Sequence, residues 1–272
     1  MKVAIQGIKG SFHHIVAEQY FGKNIDLIEC LSFTEMPKLL HTKQAEVLIM
    51  AIENSIAGAI LPNYALVDEY QLTICGEHHL PIHHHLMGLK GQNIQDIQEV
   101  YSHPMALLQC HNFFKAYPHI KLIEDKDTAV VAKRIKDGKL KGIGAIASEL
   151  AAETYGLDIL AEEIQTIKEN ATRFFILTNS PIKSSVSANK ASIKFITSHE
   201  AGSLASILTI LAKHHLNLSK IQSMPVIETP WKYAFFADFT FDSYADYYNA
   251  IQEIKGKVET LKVLGEYTKG KR

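Results

Sequence analysis

Short apolar runs alternate with helix-period stretches along the first 160 residues. "KVAIQG" reads as a strand and "SFHHIVAEQYF" as a helix. "DLIECL" is strand-like, "FTEMPKLLHTKQ" is mostly helical with a proline near its start, and "EVLIMAI" is an apolar strand bounded by polar residues. This βαβαβ rhythm predicts a mostly parallel sheet. A polar turn, "ENSIAGAILPN", follows, and "LTICGEHHLPIHHHLMG" reads as extended, crossing between two lobes. A second alternating block then runs from "EVYSH" through "PMALLQCHNFFKAY", "IKLIED", "TAVVAKRIKDG" and "GIGAIAS" to "ELAAETYG". Pro104 sits in a first helical turn, where a proline is favoured, and Gly138 and Gly156 end helices. "LDILAEEIQ" leaves this block extended, and "NATRFFIL" is a strand that returns to the first block. Two α/β blocks joined by extended segments imply two lobes with a cleft.

The pattern breaks at Asn179 to Lys190, a Ser-rich stretch with a proline and no periodicity, which predicts a linker over 181–189. Beyond it the order is strand, helix with Leu204, Ile207, Leu208 and Leu211 on one face, two strands, helix, strand. That βαββαβ order in about 80 residues is the split, ferredoxin-like arrangement. The boundaries predicted are therefore 1–180 for the two-lobed part, with its second lobe at about 80–160, and 190–272 for the last domain.

Composition narrows the function classes. The 272 residues are 47% hydrophobic and 21% charged with a formal charge of -1, which does not signal a nucleic-acid or anionic-membrane partner. No apolar segment reaches the ~20 residues of a transmembrane helix, and no secretory signal is apparent. Three scattered cysteines without a CxxC fit reduced thiols and a cytoplasmic setting. Of fourteen histidines nine cluster, as the pairs His13-His14, His78-His79 and His214-His215 and the run His83 to His85, but neighbours on a strand point to opposite faces and no zinc spacing occurs, so no metal is expected.

Candidate chemistry lies at strand ends. "GIKGS" is a Gly-rich turn ahead of a helix, able to offer backbone N–H groups to an anion or to serve as a plain turn. Glu53, Asn54 and Ser55 follow an apolar strand and form a polar platform before small residues. Ser102 stands at a helix N-cap ahead of Pro104, and Gln109 lies further along that helix. In "KENATRFFIL", Asn170 reads as a turn residue. If Thr172 faces the cleft, strand alternation puts Phe174 on its side and Arg173 on the other, where Arg173 can lock the strand end through a carboxylate such as Glu53.

Together "GIKGSF", "AIENSIAG", "SHPMALLQC", "DTAVVAKRI", "GAIASELAAETYGLDIL" and "NATRFFIL" resemble the prephenate dehydratase family, in its order and roughly its spacing. The segment from Lys190, with "GSLASIL" and "NLSKIQSMP", resembles the ACT regulatory domain. The resemblance implies periplasmic-binding-protein-like lobes around an active-site cleft, followed by a ferredoxin-like domain. It implies conversion of prephenate to phenylpyruvate, water and carbon dioxide without cofactor or metal. It puts Thr172, Asn54, Ser55, Gln109, Ser102 and Glu53 in the catalytic set, with Gly10, Ser11, Phe12, Arg173 and Phe174 binding substrate. It further implies L-phenylalanine as effector at Ala201, Gly202, Ser203, Leu204 and Ala205, with Asn217, Leu218 and Ser223 from a paired domain, and a dimer or tetramer. His13 stands where the family usually has Ser or Thr, and "QSMP" replaces the usual E-S-R-P, with Met224 for Arg. Arogenate as substrate and a non-catalytic small-acid sensor are the alternatives.

Overall fold

The computed structural model describes residues 1–182, 187–226, 229 and 231–271. By its internal contacts the chain forms two compact units, 1–60 with 79–174 and 61–78 with 175–272.

The first unit holds two lobes. In the first lobe β1 (Lys2–Gln6) lies between parallel neighbours β2 (Asp26–Cys30) and β3 (Val47–Asn54). The crossovers are α1 (Phe12–Phe21) and the short α2 (Met36–His41), with Pro37 in its first turn. β3 runs past its apolar stretch to Asn54 and pairs back with β4 (Gly58–Ala59), so the expected polar turn is a tight hairpin. The sheet order is β2-β1-β3-β11-β5, with β5 spanning Thr73–Pro81 and β11 spanning Ala171–Thr178. "NATRFFIL" thus returns to the first sheet, as its position after the second block suggested.

The second lobe has sheet order β10-β6-β9-β7-β8, formed by β6 (His85–Gly88), β7 (Glu99–Ser102), β8 (Lys121–Glu124), β9 (Ile143–Ala147) and β10 (Asp158–Ala161). β7 is parallel to β8 and β9, but β6 is antiparallel to β9 and β10 to β6, so this sheet is mixed. Helices α4 (Pro104–Phe114), α5 (Thr128–Gly138) and α6 (Glu149–Tyr155) cover it. α5 reaches Gly138 as expected, but its left-handed cap is Lys139, whereas α6 is capped by Gly156. Two apolar clusters form, around Ala132, Ile135 and Ala145 on one side and Leu107, Cys110 and Ile146 on the other. The lobes meet closely at the Gly-rich turn. Ser148 Oγ donates to Gly10 O at 2.5 Å, and a Cβ at Gly10 would lie 2.8 Å from Ala151 Cα, so only glycine fits there.

The second unit contains β12 (Lys190–Ile196), α7 (Ser203–Lys213), β13 (Asn217–Pro225), β14 (Tyr233–Thr240), α8 (Tyr244–Lys255) and β15 (Thr260–Tyr267). Its antiparallel sheet runs β13-β14-β12-β15, the ferredoxin-like order the sequence predicted. Ile207, Leu211, Phe195, Phe239 and Ile251 make its core. This unit also takes in α3 (Leu61–Glu69), a helix that the sequence pattern did not reveal. Tyr64 packs edge-on to Phe236, and Glu77 and Lys190 form a buried ion pair at 2.8 Å. Of the predicted linker, residues 183–186 lie outside the described residues.

Candidate active site

Backbone geometry at the end of β3 sets the polarity of the site. Asn54 Oδ1 accepts from the N–H groups of Ile56 at 3.0 Å and Ala57 at 2.9 Å. Backbone N–H can only donate, so this oxygen is fixed and the Asn54 amide hydrogens must point the other way. They reach Asn170 Oδ1 at 2.7 Å and Thr172 Oγ1 at 3.0 Å. The Asn170 amide then donates to Gln109 Oε1 at 3.0 Å, and the same oxygen lies 3.0 Å from His84 Nε2. An amide oxygen cannot donate, so His84 carries its proton on Nε2.

Two donors are left free by this chain. Thr172 Oγ1 accepts from Asn54, which leaves its own hydrogen for a ligand and polarises the hydroxyl in the donating direction. The Gln109 oxygen is taken twice, which turns its NH2 away from Asn170 and His84. Thr172, Gln109 and Asn54 line one cavity of about 510 Å³, together with Ser11, Phe12, Phe174, His13 and His84. Thr172 and Phe174 share the cavity side of β11, and Arg173 does not line it, as alternation required.

The cavity is poor in cations. His13 is buried and its pKa is lowered to about 3 by desolvation; burial lowers that of His84 to about 4, against the opposing Gln109 hydrogen bond. Both are neutral at pH 7. Among the described residues Lys126 is the one lysine or arginine in the lining, and Asp127 its one carboxylate. Asp127 is engaged as the N-cap of α5, accepting from Ala129 N and Val130 N. Among the described residues no cluster of three or more metal-ligating side chains occurs.

The other expected residues take structural positions. Ser102 is fully buried at the end of β7 and donates to Ile146 O at 2.7 Å; the N-cap of α4 is His103, whose Nδ1 accepts from Met105 N. Ser55 ties β3 to β11 by exchanging bonds with Ala171, its N donating to Ala171 O and its Oγ accepting from Ala171 N. Glu53 pairs with the buried Arg173 at 3.7 Å, the strand lock anticipated for that guanidinium. None of these four lines the cavity, nor does Gly10, which packs against α6. Ser11 caps α1 through His14 N and does line it. Sequence reasoning missed Asn170, His84 and Lys126. Asn170 was readable only as a turn residue, His84 was hidden in a histidine run, and Lys126 precedes a quoted motif without belonging to it.

In the second unit, a separate cavity of about 360 Å³ opens at the start of α7. Ala201, Ser203 and Leu204 line it, with Thr197, Tyr233 and Phe235. Gly202 is the N-cap with φ 86° and no side-chain capping bond, while Ala205 lies one residue beyond Leu204 on α7 and does not line it. Asn217, Leu218 and Ser223 lie along β13 and do not line it either.

The model of the prephenate dehydratase family matches residues 3–182. The chain belongs to this family. A bifunctional chorismate mutase/prephenate dehydratase of Aquifex aeolicus is 35% identical over 272 residues, covering 99% of this chain and 74% of that protein. Among solved structures, one described as a novel type of quorum quenching acylase superposes with TM-score 0.89 at 26% identity, covering 99% and 98% of the two chains. A prephenate dehydratase of Arthrobacter aurescens, solved with L-Phe, has TM-score 0.87 at 23% identity over 98% and 90%, a likeness of fold. The family match spans both lobes that line the cavity. No helix of the described residues is long and apolar enough to cross a membrane.

Proposed function

We propose that the protein converts prephenate to phenylpyruvate, carbon dioxide and water. The observation that carries this reading is the Thr172 hydroxyl, held as a donor by Asn54 inside a cation-poor cavity. In the reaction the bond to the ring carboxylate breaks and its electron pair enters the ring. The ring C–O bond then breaks with its electron pair on oxygen, and the departing hydroxide takes up a proton from solvent and leaves as water. Thr172 donates to that oxygen as negative charge develops on it. Few cations suit the ring carboxylate, because strong pairing would stabilise the ground state over the transition state. The retained carboxylate is anchored by Lys126 and the Gln109 NH2. Arogenate would bring an ammonium in place of the ketone, and Asp127, which gives only Oδ1 to the cap of α5, is the carboxylate of the lining that could meet it. Acyl transfer would need a nucleophile set against a base. Ser11 Oγ is engaged by His14 N and Ser32 Oγ by Thr34 Oγ1, so neither serine of the lining is set that way.

The residues from 190 onward act as an ACT regulatory domain with L-phenylalanine as effector, in cytoplasmic phenylalanine biosynthesis. What supports this is the cavity at α7, where uncapped helix N–H groups can receive a carboxylate and Leu204 and Phe235 offer an apolar wall. Among the described residues strand β13 pairs on one side only, with β14, and that open edge suits a second copy. Purified protein incubated with prephenate, with phenylpyruvate followed by absorbance, tests the activity; turnover in excess chelator is expected, and no product in any buffer would overturn it.

A further inference from the structure

The hydrogen-bond chain that begins at the backbone of the β3–β4 hairpin does not end on a catalytic group. It ends on His84, a residue that the dehydratase reading leaves unused. We propose that His84 is a positioning residue that fixes the orientation of the Gln109 amide, so that its NH2 is presented to the substrate. The proposal rests on the dehydratase reading of this cavity and extends it to specificity for the anionic part of the substrate.

Four observations carry it. His84 is buried, with 4% of its surface exposed, and lines the cavity. Its backbone is held, since its N–H donates to Gln165 Oε1 at 2.9 Å, and its ring meets Phe12 edge-on at 5.6 Å. Its Nε2 lies 3.0 Å from Gln109 Oε1, and that oxygen also receives Asn170 Nδ2. Its Nδ1 is buried with no partner, so nothing at that position accepts a proton and the Nε2–H tautomer is the one the site supports.

The consequence is geometric. A glutamine amide can turn over at little cost when its two ends meet equivalent partners. Here a flip would set the Gln109 NH2 against two donors, the Asn170 amide and the His84 N–H. Asn170 alone supplies one of these constraints. With both, the Gln109 oxygen is saturated and its NH2 has no partner among the described residues to compete with a ligand oxygen. His84 thus decides how firmly a neutral donor is aimed, and it does so without adding charge, because burial keeps it neutral.

The test is a double-mutant cycle on the full chain with prephenate as substrate. His84→Met removes the donor and keeps bulk. KM should rise about tenfold while kcat changes less than about threefold, the scale of one hydrogen bond. His84→Gln places an amide donor at the reach of Nε2 and should restore most of the loss. In a Gln109→Leu background, His84→Met should have no further effect. Wild-type KM in folded His84→Met overturns the assignment. So does additivity with Gln109→Leu, which would mark a packing role. Should His84→Met fail to fold, His84→Gln decides, since impairment of that folded variant is equally fatal. Absence of product from the wild type would instead sink the dehydratase reading itself.

Discussion

At the scale of single residues, the argument turns on which hydrogens are free. Thr172 has one, because Asn54 supplies the bond that its oxygen accepts. Thr172→Val keeps the shape and removes that hydrogen, so kcat should fall about 100-fold or more with folding intact, while Thr172→Ser retains part of the rate. A valine variant as fast as wild type in initial-rate assays would remove Thr172 from the chemistry. The two buried histidines give a second residue-level outcome. Their pKa values of about 3 for His13 and about 4 for His84 lie below the ordinary 6.5, so the unfolded chain binds more protons between those values. Stability therefore rises with pH through this window. It is full above about 6.5 and is lost as pH falls toward the folded values, with a slope of up to about 1.4 kcal/mol per pH unit for each histidine. The thermal midpoint should drop between pH 7 and pH 5. His13→Thr should flatten that dependence, and an unchanged slope would mean that His13 is not the neutral group described.

At the scale of elements, the buried pair between β5 and β12 dominates the second unit. Lys190 Nζ lies 2.9 and 2.8 Å from the two Glu77 oxygens, and Gly270 N also donates to Glu77. Lys190→Met leaves a fully buried carboxylate without its cation, which should cost roughly 3–5 kcal/mol in chemical denaturation. Lys190→Met with Glu77→Leu should recover much of it; a double variant as unstable as the single would show that packing, rather than charge, is at stake. This pair also marks where sequence reading ended. Strands β3 and β11 were legible as short continuous apolar runs, buried on both faces, and α7 by its helical period. Helix α3 was not, since "LPNYALVDE" follows a small-residue turn and gets its order from packing of Tyr64 on Phe236, far along the chain. The same limit applied to the site. Thr172, Asn54 and Gln109 were readable from motifs at strand and helix positions. Asn170 and His84 were not, because their roles depend on amide orientation, which follows from the fixed backbone donors of Ile56 and Ala57. Ser102 was misjudged as a cap because "SHP" offers two capping residues and the chain uses His103.

At the scale of the whole molecule, regulation requires that the α7 cavity affect the catalytic one, and chain connectivity offers a means. Ile60 lines the catalytic cavity, and the next residue opens α3; Ile82, on the far side of the same excursion, also lines it. Between them, Asp68 at the end of α3 is paired with Lys194 on β12 and with Lys262 on β15. If L-phenylalanine binding at the α7 cavity shifts β12, Asp68 is expected to carry that shift into the 61–78 segment, whose two ends continue into residues of the catalytic unit. L-phenylalanine should inhibit prephenate turnover, and coupling of this kind is a property of two sites, so it must weaken when either the effector site or the link is altered. Ala201→Leu fills the α7 cavity and should raise the half-inhibitory concentration at least about tenfold by blocking binding. Asp68→Asn should weaken inhibition while leaving L-phenylalanine binding measurable by calorimetry, which separates the link from the site. Point variants serve better here than truncation near residue 180, which would strip Tyr64 and Glu77 of their partners in β14 and β12. Sedimentation of the wild type with and without L-phenylalanine tests the accompanying expectation of an even assembly through β13. A wild type insensitive to L-phenylalanine would retire the effector assignment, and inhibition unchanged in Ala201→Leu would place the inhibitor in the catalytic cavity instead.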